Sequence, residues 1–178
     1  FYTNARILIE HIREIGAIPV LYQTWAYKNG SEKLEKTGLS YDGMYAGLKD
    51  AYEKLGNETN TEVVPVGTAF YQCAAEYPDI DIYDKKDNYH PSAEGSYLAS
   101  CVFFYKLLGG KKRISFTAGL DKKTAYTLQR IAKHTVLPKR RLTNIFYHLI
   151  VLVFTAVFDC GEEFSRILSD GGLSDEKW

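Results

Sequence analysis

The stretch NARILIEHIREIGAIPVLYQT, residues 4–24, decides the fold class, because it joins a helical pattern directly to a short strand. Apolar side chains recur at helical spacing in residues 4–15, and Gly16 follows as a typical helix stop. Residues 18–24 form a short apolar run, which is typical of a buried strand. The stretch therefore predicts a helix followed at once by an internal strand.

The alternation of helical and strand patterns continues along the chain. A second short strand is predicted at residues 62–66, where Pro65 indicates a sheet edge or a strand end. Strands that alternate with helices favour an α/β architecture with a parallel sheet. The remaining helices are predicted at residues 42–55, 68–77, 92–108 and 121–136. Gly56 is the expected stop of the first of these helices, and Asp121 is the expected N-cap of the last.

Residues 137–178 differ in kind from residues 1–136, so the sequence predicts an α/β domain followed by an appendage of unknown role. The appendage reads as a basic linker, an apolar helix at residues 142–158 and an acidic tail. The apolar helix has 17 residues, which is the lower limit for spanning a bilayer. Two interpretations stay open: a membrane-associated segment, and a buried core helix or aberrant tail.

The composition excludes several classes of protein. Apolar residues make up 46% of the chain and charged residues 25%, which is typical of a globular protein and not of a disordered one. The formal net charge is zero, so no global field attracts nucleic acid. Residues 111–141 are strongly basic but carry no nucleic-acid motif, and a solvated helix face is expected there. The four histidines lack metal-ligand spacing, so no metal site is predicted.

The stretch DNYHPSAEGSYL, residues 87–98, carries the candidate chemistry. Asp87 and His90 lie three residues apart in a predicted loop, so the carboxylate is within reach of the imidazole. A carboxylate in that position holds one imidazole tautomer and stabilises the imidazolium that forms when the histidine accepts a proton. Ser92 is a good N-cap for the helix that follows. The pattern indicates a general base held at a loop–helix junction.

The pattern D-x-x-H-P-S-x-x-G-x-Y-L resembles the last conserved block of the SGNH/GDSL hydrolases. The stretch AIPVLYQTWAYKNG, residues 17–30, is similar to a bacterial, poorly characterised branch of that superfamily, and the likeness extends over roughly residues 1–136. The resemblance implies the C-terminal part of a three-layer α/β/α flavodoxin-like fold. It also implies an ester or acyl hydrolase with Asp87 as orienting acid and His90 as general base.

The same resemblance implies the reaction partners. No metal and no organic cofactor are expected, and the substrate is expected to be a small-molecule or carbohydrate O-acyl ester, often an acetyl ester. A secreted or periplasmic location is favoured by the resemblance alone.

The sequence departs from the superfamily at the nucleophile. No Gly-Asp-Ser block and no oxyanion-binding block occurs in the chain, and both are expected before Phe1. Four serines are considered as nucleophiles within the chain, and all are poor candidates: Ser31, Ser40, Ser92 and Ser96. The chain is therefore expected to be inactive alone, and the alternative is a truncated or degenerate domain without catalytic function.

Two aromatic residues follow the first predicted strand. Trp25 and Tyr27 lie beyond its carboxyl end, where ligand crevices form in open α/β sheets. They are candidate substrate-binding residues. The alternative for Trp25 is a half-buried aromatic side chain that covers the end of the sheet.

Overall fold

The computed structural model describes residues 1–109 and 113–137, together with the backbone of residues 151–153. The helices are α1 (Tyr2–Glu14), α2 (Glu32–Glu35), α3 (Tyr41–Thr59), α4 (Val66–Glu76), α5 (Ala93–Leu107) and α6 (Lys122–Val136). The strands are β1 (Ile18–Tyr22), β2 (Glu62–Val64) and β3 (Val151–Val153).

The strands form a small parallel sheet in the order β2-β1-β3. Val20 lies opposite Glu62, which sets the register of β1 against β2. The α/β class and the parallel sheet are therefore confirmed. Pro65 follows the last residue of β2 and caps α4, as expected for a strand-end proline.

Helix α5 forms the centre of the hydrophobic core. Ten of its 15 residues are buried, which explains why its sequence is apolar nearly all round. It packs against α4 and α6, whereas α1 packs on β1 and α3 on β2. The loop after β1 and the loop before α5 meet at the carboxyl end of β1, where the candidate site lies.

Two predicted boundaries need correction. The helix predicted to end at residue 55 continues to Thr59 and ends at Asn60, which has a left-handed φ of 49°. Gly56 is not a stop signal, because a Cβ there would lie 2.7 Å from Val63 and 2.8 Å from the Thr61 carbonyl oxygen. The missing side chain serves close packing of α3 on β2. The predicted loop 25–40 also contains the short helix α2, capped by Ser31.

The predicted apolar helix at residues 142–158 is not what the structure shows at residues 151–153, which form β3 beside β1. Valine-rich sequence suits a strand because β-branched side chains fit a pleated surface. The rest of that segment, the basic linker and the acidic tail lie outside the described residues. Within the described part of the chain, no helix is long and apolar enough to cross a membrane.

Candidate active site

The candidate site is carried by a narrow hairpin, residues 82–92, between α4 and α5. Tyr83 and Pro91 form an antiparallel bridge, and the Asp84 N–H donates to the His90 carbonyl oxygen over 2.8 Å. At the tip, Asn88 has a φ of 53°, and its N–H donates to the Asp84 carbonyl oxygen over 2.8 Å. A left-handed residue is tolerated best when it is Asn, Asp or Gly, so the sequence suits this tight turn.

The hairpin brings the two predicted catalytic residues together. Asp87 Oδ2 is hydrogen-bonded to His90 Nδ1. Asp87 Oδ1 accepts from the backbone N–H of Tyr89 over 2.9 Å and from that of His90 over 3.0 Å. Both carboxylate oxygens are therefore used, and the carboxyl group cannot rotate without losing hydrogen bonds. The His90 side chain is 43% exposed, so the imidazole lies at the surface of the described chain and not in its core.

The electrostatics follow from these contacts. The hydrogen bond from the His90 side chain, with help from the two backbone N–H groups, lowers the pKa of Asp87 to about 2. Asp87 is therefore ionised at neutral pH and acts only as an acceptor. In a neutral His90 the proton then belongs on Nδ1, which leaves the Nε2 lone pair as the basic position.

The lowered pKa predicts a pH-dependent contribution of Asp87 to stability. Because its native pKa lies below the unfolded value, ionised Asp87 stabilises the fold above about pH 4, and this contribution is lost between about pH 4 and pH 2. Thermal unfolding of wild type and Asp87→Asn is expected to differ at pH 7, and the gap should narrow as the pH falls through that range.

Asp84→Asn is the matched control for this measurement. Asp84 lies in the same hairpin, but its Oδ1 accepts from the Lys86 N–H and not from an imidazole. The variant removes the same negative charge without removing a hydrogen bond to the His90 side chain. An identical pH dependence for the two variants would contradict the assigned Asp87–His90 hydrogen bond.

The start of α5 holds the base of the hairpin. Ser92 caps the helix by accepting from the Gly95 N–H over 3.1 Å, as predicted, and its hydroxyl donates to the Asp81 carbonyl oxygen over 2.7 Å. Gly95 lies against the Ile82 carbonyl oxygen so closely that a Cβ would overlap it. The Ser and Gly of the sequence pattern thus serve the packing of the hairpin on α5.

The structure separates the two predicted substrate-binding residues. The Trp25 side chain is only 5% exposed, and it stacks on Phe70 with ring centroids 4.4 Å apart. This burial favours the alternative in which Trp25 covers the end of the sheet. Tyr27 is half-buried and meets the Tyr89 ring edge-on at 5.0 Å, beside His90. The Tyr89 ring in turn lies 4.6 Å from the His90 ring, centroid to centroid, so Tyr89 stands between Tyr27 and the imidazole.

Sequence reasoning missed two residues that tie the site together. Lys28 Nζ pairs with Asp81 Oδ1 over 2.9 Å, and the buried Tyr83 hydroxyl donates to the Ala26 carbonyl oxygen over 2.8 Å. Each contact joins residues more than 50 positions apart. The sequence indicated only that Lys28 lies in the loop after β1. The two pairings could not be predicted, because they depend on tertiary packing.

Three of the four serines considered as nucleophiles have structural roles that fit their dismissal. The hydroxyls of Ser31, Ser40 and Ser92 each accept a backbone N–H as helix N-caps. Among residues 1–109 and 113–137, no group of three or more His, Cys, Asp or Glu side chains is arranged to hold a metal ion.

A cleft of about 930 Å³ lies elsewhere, between α3, the start of β1 and the end of α5, and neither Asp87 nor His90 lines it. Gln23 contributes to its wall, and its Oε1 accepts from the Thr68 hydroxyl over 3.0 Å. The cleft is therefore separate from the acid–imidazole pair.

Comparison with known proteins identifies a family and a fold. Residues 5–136 match the family described as "Domain of unknown function (DUF4886)". No curated protein matches the chain. The chain is similar to a DUF4886 family protein from Bacteroides uniformis ATCC 8492, solved by crystallography, with 23% sequence identity and a TM-score of 0.64. The likeness covers 80% of this chain, which spans 60% of the length of that relative.

Proposed function

The chain belongs to the DUF4886 family, a domain of unknown function. From the Asp87–His90 geometry and from the resemblance of residues 87–98 to the SGNH/GDSL hydrolases, we propose that it is part of a serine ester or acyl hydrolase of that type. In this proposal His90 is the general base and Asp87 is the acid that orients it. The substrate is an O-acyl ester, such as an acetyl ester of a carbohydrate or a small molecule. No metal or organic cofactor takes part.

The observation that carries the proposal is the hydrogen bond between Asp87 Oδ2 and His90 Nδ1 on a half-exposed loop. A structural ion pair needs only contact between charges, but here the carboxylate is held by two further backbone N–H groups. The arrangement fixes the imidazole tautomer with the proton on Nδ1, so that Nε2 is the basic nitrogen. That is what a general base for a serine requires.

The reaction follows from these roles. His90 Nε2 takes the proton of the serine hydroxyl while the serine oxygen bonds to the acyl carbon of the ester. The bond to the alcohol oxygen then breaks, and His90 returns the proton to that oxygen. In the second half, His90 takes a proton from water, whose oxygen attacks the acyl carbon. The acyl–serine bond breaks, the serine regains a proton, and the carboxylic acid leaves.

The nucleophilic serine is assigned in this proposal to polypeptide outside the 178 residues. The chain spans 60% of the length of its solved relative, so a longer protein of this family has room for such a segment. The helix-capping roles of Ser31, Ser40 and Ser92 support the same assignment.

The finer fold assignment, a three-layer α/β/α flavodoxin-like domain, also belongs to the proposal. Leu21 of β1 reaches the α3 side at Gly56, while its neighbour Tyr22 meets Phe103 of α5 edge-on at 5.0 Å. Successive side chains of a strand point to opposite faces of the sheet. Helices on both faces of the sheet are what this fold requires.

A labelling experiment tests the proposal directly. The longer protein that includes this chain is incubated with a fluorophosphonate probe and with a chromogenic acetyl ester. We expect one serine outside residues 1–178 to be labelled, with loss of ester hydrolysis in proportion to labelling. Labelling that is absent in the folded protein, together with no turnover, would overturn the hydrolase and favour the non-catalytic domain.

A further inference from the structure

We propose that Trp25 is a positioning residue for His90 and not a substrate contact, acting through the segment Trp25–Lys28, here named the clamp segment. The inference rests on the proposed function for its catalytic meaning. Its physical content, that Trp25 determines where the imidazole sits, stands on contacts in the structure alone.

The central contact is a hydrogen bond from the indole. Trp25 Nε1 donates to the carbonyl oxygen of Tyr89 over 3.0 Å, one residue before His90. The indole is fixed in turn, because it is buried and lies nearly parallel to the fully buried Phe70 ring on α4, with an interplanar angle of 13°. The hydrogen bond therefore ties the backbone at the catalytic loop to the hydrophobic core.

The rest of the clamp segment holds the same hairpin at other points. The Lys28 N–H donates to the Asn88 carbonyl oxygen over 3.3 Å, at the hairpin tip. The Lys28 ammonium pairs with Asp81 at the hairpin base. The Ala26 carbonyl oxygen accepts from the hydroxyl of Tyr83. Consecutive residues of one short segment thus contact the base, the side and the tip of the hairpin.

The contacts within the hairpin and those from the clamp segment have different effects on the site. Hydrogen bonds within the hairpin determine its shape, including the approach of Asp87 to His90. The clamp segment determines the position of the hairpin relative to the end of β1, since Trp25 follows the last residue of that strand by three residues. Removing the indole donor leaves the Tyr89 carbonyl without that bond and gives the imidazole more positional freedom. Loss of position lowers the rate of proton transfer more than substrate affinity.

The test uses nuclear magnetic resonance of the full chain and needs no turnover. The proton on His90 Nδ1 is assigned with His90→Gln, and its exchange with solvent is measured in wild type and in Trp25→Phe, which keeps a large aromatic ring but removes the donor. We expect exchange to be roughly three- to tenfold faster in Trp25→Phe, the range that one lost hydrogen bond allows.

Tyr97→Phe is the control, because it removes side-chain hydrogen bonds away from the hairpin: the one that the Tyr97 hydroxyl donates to the Phe116 carbonyl oxygen and the one that it accepts from Gln129 Nε2. It should lower the melting temperature without changing exchange at His90. If Trp25→Phe does not fold, Tyr83→Phe takes its place, because it removes the hydrogen bond to the Ala26 carbonyl oxygen of the clamp segment. This variant is also expected to make exchange of the His90 Nδ1 proton faster.

Wild-type exchange at His90 in a folded Trp25→Phe, with only a lower melting temperature, would overturn the proposal and leave Trp25 a core residue. In the longer protein, Trp25→Phe should lower kcat with KM unchanged, whereas a substrate contact would raise KM. If the longer protein does not hydrolyse esters, the proposed hydrolase function is wrong. The exchange rate of the His90 Nδ1 proton still tests whether Trp25 positions the imidazole.

Discussion

Replacing His90 with alanine is expected to lower ester hydrolysis by the longer protein at least about 10³-fold in kcat. In the proposed mechanism the imidazole takes the serine proton, because Asp87, with its pKa lowered to about 2, is too weak a base to hold that proton. Without the base, the serine must lose its proton to water. The residual rate enhancement then comes from substrate binding and from any groups that donate hydrogen bonds to the oxyanion.

His134→Ala is the control for this prediction, because His134 is an exposed histidine in the last turn of α6. It should hydrolyse the ester at the wild-type rate. The initial rates are measured with a chromogenic acetyl ester at saturating concentration, and far-ultraviolet circular dichroism checks that each variant folds. A His90→Ala variant that keeps more than about a tenth of the wild-type activity contradicts the general-base role.

Replacing Gly95 with alanine is expected to destabilise the fold by about 3 kcal/mol, the upper part of the range for overpacking a well-packed site. The new methyl group would overlap the Ile82 carbonyl oxygen and lie 3.0 Å from Pro91 Cβ. The Ile82 carbonyl cannot move aside freely, since it accepts the Ser92 N–H over 3.1 Å at the helix start. The hairpin would have to separate from α5, which would displace Asp87 and His90 together.

Gly47→Ala is the matched control, because Gly47 is an exposed glycine inside α3 with no heavy atom within 4 Å of an added Cβ. There the substitution should stabilise the protein by about 0.5–1 kcal/mol through helix propensity alone. Both values come from denaturant unfolding of the full chain. A Gly95→Ala variant within about 0.5 kcal/mol of wild type would show that the close packing of the hairpin on α5 is absent in solution.

The sequence by itself was sufficient for the features that depend on near neighbours in the chain. The five longer helices α1, α3, α4, α5 and α6, the Ser92 and Asp121 caps, and the strand-end position of Pro65 follow from patterns within a few residues. The Asp87–His90 contact belongs to the same class, because three residues in a tight turn leave the two side chains little room to separate. Local geometry has few solutions, so a local pattern predicts it well.

Only the tertiary structure decided the features that join distant residues. Trp25 is buried, and its hydrogen bond to Tyr89 joins residues 64 positions apart. Position 95 requires glycine because the Ile82 carbonyl oxygen lies against it once α5 packs on the hairpin. Gly56 was misread for the same reason, since a helix stop and a packing contact look alike in sequence. Such contacts depend on how whole elements pack, and no short-range period records that packing.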